Sequence, residues 1–374
     1  MNEYLAIIKL AVIIGSFLLA LLLEALILPQ ILRIAYKKRL YDLPNVRKVH
    51  KTPTPRLGGI SFMPVIVIVL GIMAVARLRW VNDTVLSQNV TDQTMIYILF
   101  AMGLMLLYLI GAVDDLVGIS YRTKFIAQIV AAILPPIGGL WINNFGGLFG
   151  ITTIPIWIGI PLTIFMFVYI INAINLIDGI DGLASGLSGM ALVLIAAACF
   201  SVKHFSMGIL ATTMVAILVV FFKYNVFNKG THKLFMGDAG SMCLGYILAL
   251  LVIHFWNMRA DFNPFTNNLN IIVTSSLLIP LLDVVHVTLM RIKNHKNPFL
   301  PDKTHIHHRL MCAGLSARRT LFCLLALSTI VIALNVILAQ EISATMLVLI
   351  DIGIWIVMTF MIHKAYANKQ KQIE

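Results

Sequence analysis

Two adjacent carboxylates, Asp114 and Asp115, close the segment GAVDDL at residues 111–116. Side by side they repel, and both stay ionised only beside a cation or a shared proton. A divalent metal or a cationic phosphate-binding side chain would meet that need, and Lys124, ten residues on, can reach the same place. The C-terminal end of a helix, where the dipole is negative, is otherwise a poor position for two acids. A second constellation, NAINLIDGIDG at 172–182, carries Asn172, Asn175, Asp178 and Asp181 with glycines at 179 and 182. Asx-Gly pairs form tight turns, so the plain reading is a polar hairpin between two helices. Two Asp and two Asn exceed what a turn requires. Their oxygens suit Mg²⁺, and glycine lets backbone approach a ligand closely. A third, FMGDAGS at 235–241, puts Asp238 where the N-cap of a following helix would fall, a role compatible with metal binding. Phe235 either stacks on a base or packs.

Three imidazoles, His305, His307 and His308, fall within four residues of the segment PDKTHIHHR at 301–309. Zinc is one reading. Lys303 and Arg309 flank them and no pair of cysteines lies near, so a cationic clamp for phosphate oxygens is preferred. The loop HKTPTPRLGG at 50–59, with Lys51 and Arg56, is a Pro-rich turn before a glycine-started run and says little alone. Glu24 and Asp351 lie within apolar runs, with partners the sequence does not name. Asp283 and His286, three apart in the ninth run, are spaced so that they can pair on one helix face.

The elements that hold these residues must be membrane helices. Of 374 residues, 60% are hydrophobic and 12% charged, against about 45–50% and about 25% in soluble domains. That excludes a soluble enzyme, a disordered chain or a disulfide scaffold. At about 20 apolar residues per span, roughly eleven runs can be drawn, near 5–28, 58–76, 95–113, 125–142, 155–174, 183–200, 206–222, 240–256, 270–290, 320–338 and 343–362. The expected fold is all-α and polytopic, one transmembrane domain over 1–374. Pro135 and Pro136 in the fourth run, and Pro161 in the fifth, are expected to kink or shorten those helices. The N-terminus, MNEYLAIIKL, has neither a basic start nor a cleavage site, so the first run reads as a retained helix. The four cysteines show no CxxC spacing.

Charge orients the spans. Of 28 Lys and Arg, 23 fall on the odd-numbered loops and the C-terminal tail. Positive charge marks cytoplasmic loops, so the C-terminus is expected inside and the N-terminus outside. The net charge of +12 is thus a membrane-topology signal rather than a nucleic-acid footprint. Asp114, Asp115, Asp178, Asp181, Asp238 and the three histidines then share the cytoplasmic face. Mg²⁺-type oxygens and cationic phosphate ligands gathered there suggest phosphoryl transfer between a soluble nucleotide and a lipid.

Together TPTPRLGG at 52–59, VDD at 113–115, NAINLIDGIDGLASG at 172–186, FMGDAGS at 235–241 and PDKTHIHHRLMCAGLS at 301–316 resemble the polyprenyl-phosphate N-acetylhexosamine-1-phosphate transferases. The resemblance spans about residues 44–319. Within that family, the HIHH at 305–308 is similar to the undecaprenyl-phosphate GlcNAc-1-phosphate transferases. The phospho-MurNAc-pentapeptide translocases carry three consecutive histidines instead. The resemblance implies attack by a polyprenyl phosphate on the sugar-linked phosphorus of a UDP-sugar, with release of UMP. It implies Asp238 and Asn175 as ligands of Mg²⁺, or Mn²⁺ in its place. Asp114 and Asp115 correspond to the paired catalytic acids and Lys124 to a phosphate contact. Asp178, Gly179 and Asp181 correspond to the uridine-side loop, with Asn225 and Phe235 as the polar and stacking parts of that pocket. His305, His307, His308 and Arg309 correspond to pyrophosphate contacts, and Lys51 to a further substrate contact. A lipid phosphate is already largely ionised near neutrality, so Asp114 or Asp115 acts either as a base or as an orienting group.

The implied partners are a UDP-sugar, undecaprenyl phosphate and the bilayer, with no nucleic acid; a homodimer is left open. The implied location is a bacterial inner (cytoplasmic) membrane. Rival readings are a transporter or flippase, a CDP-alcohol or prenyl-transfer enzyme, and a related donor carrying GalNAc, a 6-deoxy N-acetylhexosamine or MurNAc-pentapeptide.

Overall fold

The computed structural model describes residues 2–40, 54–80, 90–228, 230–258, 268–295 and 304–371. They form thirteen α-helices: α1 (Asn2–Lys37), α2 (Phe62–Trp80), α3 (Val90–Val117), α4 (Tyr121–Ile137), α5 (Ile156–Ile177), α6 (Leu183–Ser201), α7 (Phe205–Phe222), α8 (Gly237–Asn257), α9 (Leu269–Ser275), α10 (Leu278–Lys293), α11 (Ile306–Cys312), α12 (Ala317–Leu338) and α13 (Ala344–Lys371). Among the described residues no strand forms, and an isolated β-bridge pairs Asn144 with Thr153. Each of the eleven apolar runs falls largely on helix, but the fourth overruns α4 by residues 138–142 and the ninth is divided between α9 and α10; α11 is an addition that hydropathy does not mark.

Nine of these helices are long and apolar enough to cross a bilayer, or ten if α9 and α10 count as one bent span. The chain is therefore a multi-pass, all-α membrane protein. The fourth run forms a shorter helix of 17 residues that stops just after Pro135 and Pro136. Helix α5 runs through Pro161 without a break. The sharp bend, 65°, lies instead between α9 and α10. Pro280 falls in the first turn of α10, where backbone N–H groups have no intrahelical acceptor and a proline removes nothing.

Helix α8 forms the centre, with 94% of its apolar window buried inside the protein. Small residues let its neighbours come close, as in membrane bundles generally. A Cβ on Gly245 would lie 2.7 Å from Ile171 Cα of α5, and one on Gly111 would lie 2.5 Å from Ala239 Cα. The second contact sets the end of α3, with Asp114 and Asp115, against the start of α8. Tyr246 donates to Ala131 O at 2.8 Å and stacks on Phe100 at 4.9 Å, which ties α4 and α3 to the same axis.

The loop before α2 gains its meaning from packing. Pro55 O accepts from Phe235 N, Phe235 O from Gly58 N and Met236 O from Gly59 N, at 2.8, 2.9 and 2.7 Å. A short 3₁₀ turn at Gly58–Ser61 then leads into α2. The two loops meet so closely that a Cβ on Gly59 would lie 2.0 Å from Gly240 Cα. The obstacle is backbone, which cannot swing away. Gly59→Ala should therefore destabilise the protein by about 1–3 kcal/mol or more, read as a lower melting temperature in detergent. An unchanged melting temperature would contradict this packing.

The buried acids find partners. Ser61 Oγ lies 2.6 Å from Glu24 Oε1. Asp351 is held by Ser275 and by Asn335 Nδ2, the latter at 2.8 Å. These contacts reduce the penalty of an acid at membrane depth.

Candidate active site

The ends of α3, α5 and α7 and the starts of α4, α6 and α8 meet at one end of the bundle, and the polar motifs meet with them. Asp238, the second residue of α8, lies at the centre. Its Oδ2 accepts from Lys124 Nζ at 2.9 Å, and its Oδ1 from Asn175 Nδ2 at 2.6 Å. Lys124 also donates to Asp114 Oδ2 at 2.9 Å, so one ammonium bridges two carboxylates 124 residues apart in sequence. Asn175 donates to Ser241 Oγ as well, which leaves its carbonyl oxygen for another partner.

The paired acids of α3 have separate jobs. Asp114 Oδ1 accepts from Ile119 N at 2.7 Å and closes the turn into α4. Asp115 accepts from Asp238 N at 2.7 Å and Ala239 N at 3.0 Å. It caps the N-terminus of α8 from another helix, where the dipole is positive. The cap expected of Asp238 is thus supplied by Asp115. The unfavourable end of α3 is offset by the favourable start of α8. Gly237, at φ +74°, makes this approach feasible, since a Cβ there would lie 2.0 Å from Arg56 O and 2.6 Å from Asp115 Oδ2.

A cleft of about 510 Å³ opens over this cluster, within the ~300–1,000 Å³ common for small-molecule sites. Asp115, Asn175 and Asp238 form one part of its lining, and Asp178, Gly179 and Asp181 another. Phe235, Asn225 and His308 also face it. Asp178 touches the cleft yet sits deep among protein atoms. Burial, then the carboxylates of Asp238 and Asp181, push it up to about 7, while Arg56 pulls the other way. Asn225 lies in the π-turn Lys223–Phe227 after α7. Its Oδ1 accepts from Gly182 N at 2.5 Å and its Nδ2 donates to Leu234 O at 2.8 Å, so it staples the 178–182 loop to the strand of chain entering α8.

Two cations escaped the sequence reading. Arg56, from TPRLGG, lines the cleft. Lys233 does too, paired with Asp181 and with its Nζ 5.5 Å from the Phe235 ring centre. Both lie inside or beside quoted motifs, so their positions were visible and their direction was not.

The histidine segment is resolved into different roles. His308 reaches the cleft. His305 and His307 lie beneath it, 5% and 1% exposed. His305 Nδ1 is 2.8 Å from Asp283 Oδ2. Burial, then His308 and His305, push the His307 imidazole down to about 2, and neither ring nitrogen has a hydrogen-bond partner among the described residues. Arg309 Nη1 meets His286 Nε2 at 2.8 Å and Nη2 donates to Thr359 O of α13 at 3.2 Å. Asp283 and His286 therefore do not pair with each other; each holds one end of the histidine segment. Lys51, Asp302 and Lys303 lie outside the described residues.

A polytopic helical protein with acids, amide oxygens and cations around one end-on cleft fits an enzyme handling phosphorylated substrates at a membrane surface. The chain belongs to glycosyl transferase family 4, whose model matches residues 95–256. It is 33% identical over 307 residues to a Bacillus subtilis (strain 168) protein named a probable undecaprenyl-phosphate N-acetylglucosaminyl 1-phosphate transferase, covering 82% of this chain and 79% of that one. It is 29% identical over 311 residues to the undecaprenyl-phosphate alpha-N-acetylglucosaminyl 1-phosphate transferase of Escherichia coli (strain K12), covering 82% and 78%. With the decaprenyl-phosphate N-acetylglucosaminephosphotransferase of Mycobacterium leprae (strain TN) it shares 31% over 298 residues, 74% of this chain and 71% of the other.

Proposed function

We propose that this protein transfers N-acetylglucosamine 1-phosphate from UDP-N-acetylglucosamine to undecaprenyl phosphate, at the cytoplasmic face of a bacterial inner membrane. A phosphate oxygen of the lipid attacks the sugar-bearing phosphorus. The bond from that phosphorus to the bridging oxygen breaks, and UMP leaves with the electron pair. The observation that carries this reading is the place of Asp238. It is held by Lys124 and Asn175 under a cleft whose wall carries Arg56, Lys233 and Phe235, cations and an aromatic ring suited to a nucleotide diphosphate. Beside it, Leu116, Val117, Tyr121 and Phe125 of α3 and α4 are exposed apolar side chains. They would let a polyprenyl chain stay in the bilayer while its phosphate reaches Lys124.

The donor set also fits a divalent cation. Asp238, Asn175 and Asp115 offer hard oxygens, and Mg²⁺ commonly takes one or two carboxylates with substrate phosphates completing its shell. In this reading Asp238 and Asn175 hold Mg²⁺ or Mn²⁺, which supplies charge neutralisation on the transferring phosphoryl group. Lys124 holds the lipid phosphate, Asp114 orients Lys124, and His308 meets the pyrophosphate. Arg56 supports the donor phosphates, and Phe235 with the 178–181 loop reads uridine. The sugar assignment rests on the relatives' names and the HIHH segment.

The test is nucleotide product analysis with the purified protein, polyprenyl phosphate and a panel of UDP-sugars. UMP released with UDP-N-acetylglucosamine is the expected result. UDP as product would exclude attack at the sugar-bearing phosphorus. Turnover confined to UDP-MurNAc-pentapeptide or a deoxy sugar would change the donor and leave the chemistry.

A further inference from the structure

We propose that Asp283 is a positioning residue for this transfer: its carboxylate fixes His305 and the first turn of α11, and so sets His308 at the cleft. The inference rests on the transferase reading above.

Asp283 lies on α10 and is 1% exposed. Both of its oxygens are engaged with the histidine segment. Oδ2 meets His305 Nδ1 at 2.8 Å, and Oδ1 accepts from Ile306 N at 2.8 Å. An ionised carboxylate only accepts, so the hydrogen between them sits on His305 Nδ1 and the tautomer is set. The His305 ring lies nearly parallel to that of His307, with centroids 5.8 Å apart and planes 11° apart. The His307 ring in turn lies 4.2 Å from that of His308. His307 also presses on the cleft loop, since a Cβ on Gly179 would fall 2.1 Å from its Nε2. An orientation imposed at Asp283 thus passes through three neighbouring rings, His305 stacked on His307 and His308 tilted 45° against it, to the cleft wall and to the loop carrying Asp178. One turn along α10, His286 holds Arg309, so a single helix face grips both ends of the segment. Asp283 does not itself line the cleft. Its route to the substrate runs through His305, as an orienting partner does for a ligand histidine.

The experiment uses the full chain purified in detergent. In ¹⁵N-histidine NMR, the His305 signal, assigned by its loss in His305→Ala, should show Nδ1 protonated in the wild type. An Nε2-protonated neutral ring would overturn the proposal whether or not Asp283→Asn folds. Asp283→Asn keeps an acceptor for Ile306 N and turns its amide nitrogen toward His305, so the tautomer should reverse. With UDP-N-acetylglucosamine and polyprenyl phosphate, Asp283→Asn should lower kcat/KM about 10- to 100-fold, the usual range for losing such a partner. In a His305→Ala background the same change should cost less than about twofold, because residues acting as one unit are not additive. Unchanged kinetics of a folded Asp283→Asn, or a loss that multiplies fully with that of His305→Ala, would overturn it. Wild type releasing no UMP from any UDP-sugar would sink the transferase reading instead, a result the variant comparison cannot mimic.

Discussion

Asp238→Asn should leave a folded protein that turns over about 10²–10³-fold more slowly, the size expected when one aimed electrostatic group is lost. The substitution keeps the shape and removes the charge. Lys124 loses one of its two counter-charges, and Asn175 Nδ2 meets an amide instead of a carboxylate oxygen. Folding should survive because Asp115, not Asp238, caps the first N–H groups of α8. Asp115→Asn is the informative contrast, since it weakens both the cleft and that cap and should lower the melting temperature as well. UMP release and thermal melting on the same preparations check both statements. Wild-type turnover by Asp238→Asn would remove this residue from the reaction.

Excess EDTA should abolish UMP release, and Mg²⁺ or Mn²⁺ should restore it. The reason is charge. Asp115, Asp178, Asp181 and Asp238 all face one cleft, against Arg56 and Lys233 on its wall and Lys124 behind it. A donor pyrophosphate and a lipid phosphate add further negative charge. Asp178 is pushed up to about 7 by burial first and then by the carboxylates of Asp238 and Asp181. A nearby divalent cation favours the ionised acid, so it lowers this pKa. Metal addition near pH 7 in weak buffer should therefore release protons from wild type and fewer from Asp178→Asn. Full activity in excess EDTA would exclude a required metal.

Much of the architecture is legible in the sequence because hydropathy acts locally. Each apolar run falls largely on helix. Breaks are less legible. Proline marks where an N–H is missing, not whether a helix bends, so Pro161 passes unbroken inside α5 while α9 and α10 part just before Pro280. The acids at the end of α3 looked misplaced because their partner, the start of α8, is far along the chain. The histidine segment read as one cationic clamp because spacing records residue type, not burial. Three-dimensional packing sends His308 to the cleft and His305 to Asp283.

By itself the sequence determined that this is a helical membrane protein with hard-oxygen and cationic chemistry gathered at one end. Those properties follow from side-chain type and from apolar length, and both are written residue by residue. Only the tertiary structure decided which carboxylate caps α8 and which one pairs with Lys124 and Asn175. Asp115 and Asp238 are the same residue type in similar glycine-rich surroundings, yet one binds two backbone N–H groups and the other binds Lys124 and Asn175. The same holds for TPRLGG, weak alone, whose backbone hydrogen bonds to residues 235 and 236 bring Arg56 to the cleft. The physical reason is that a hydrogen bond depends on distances of a few ångströms. For pairs separated by more than a hundred positions, those distances come from how helices pack against α8, and no local pattern encodes them.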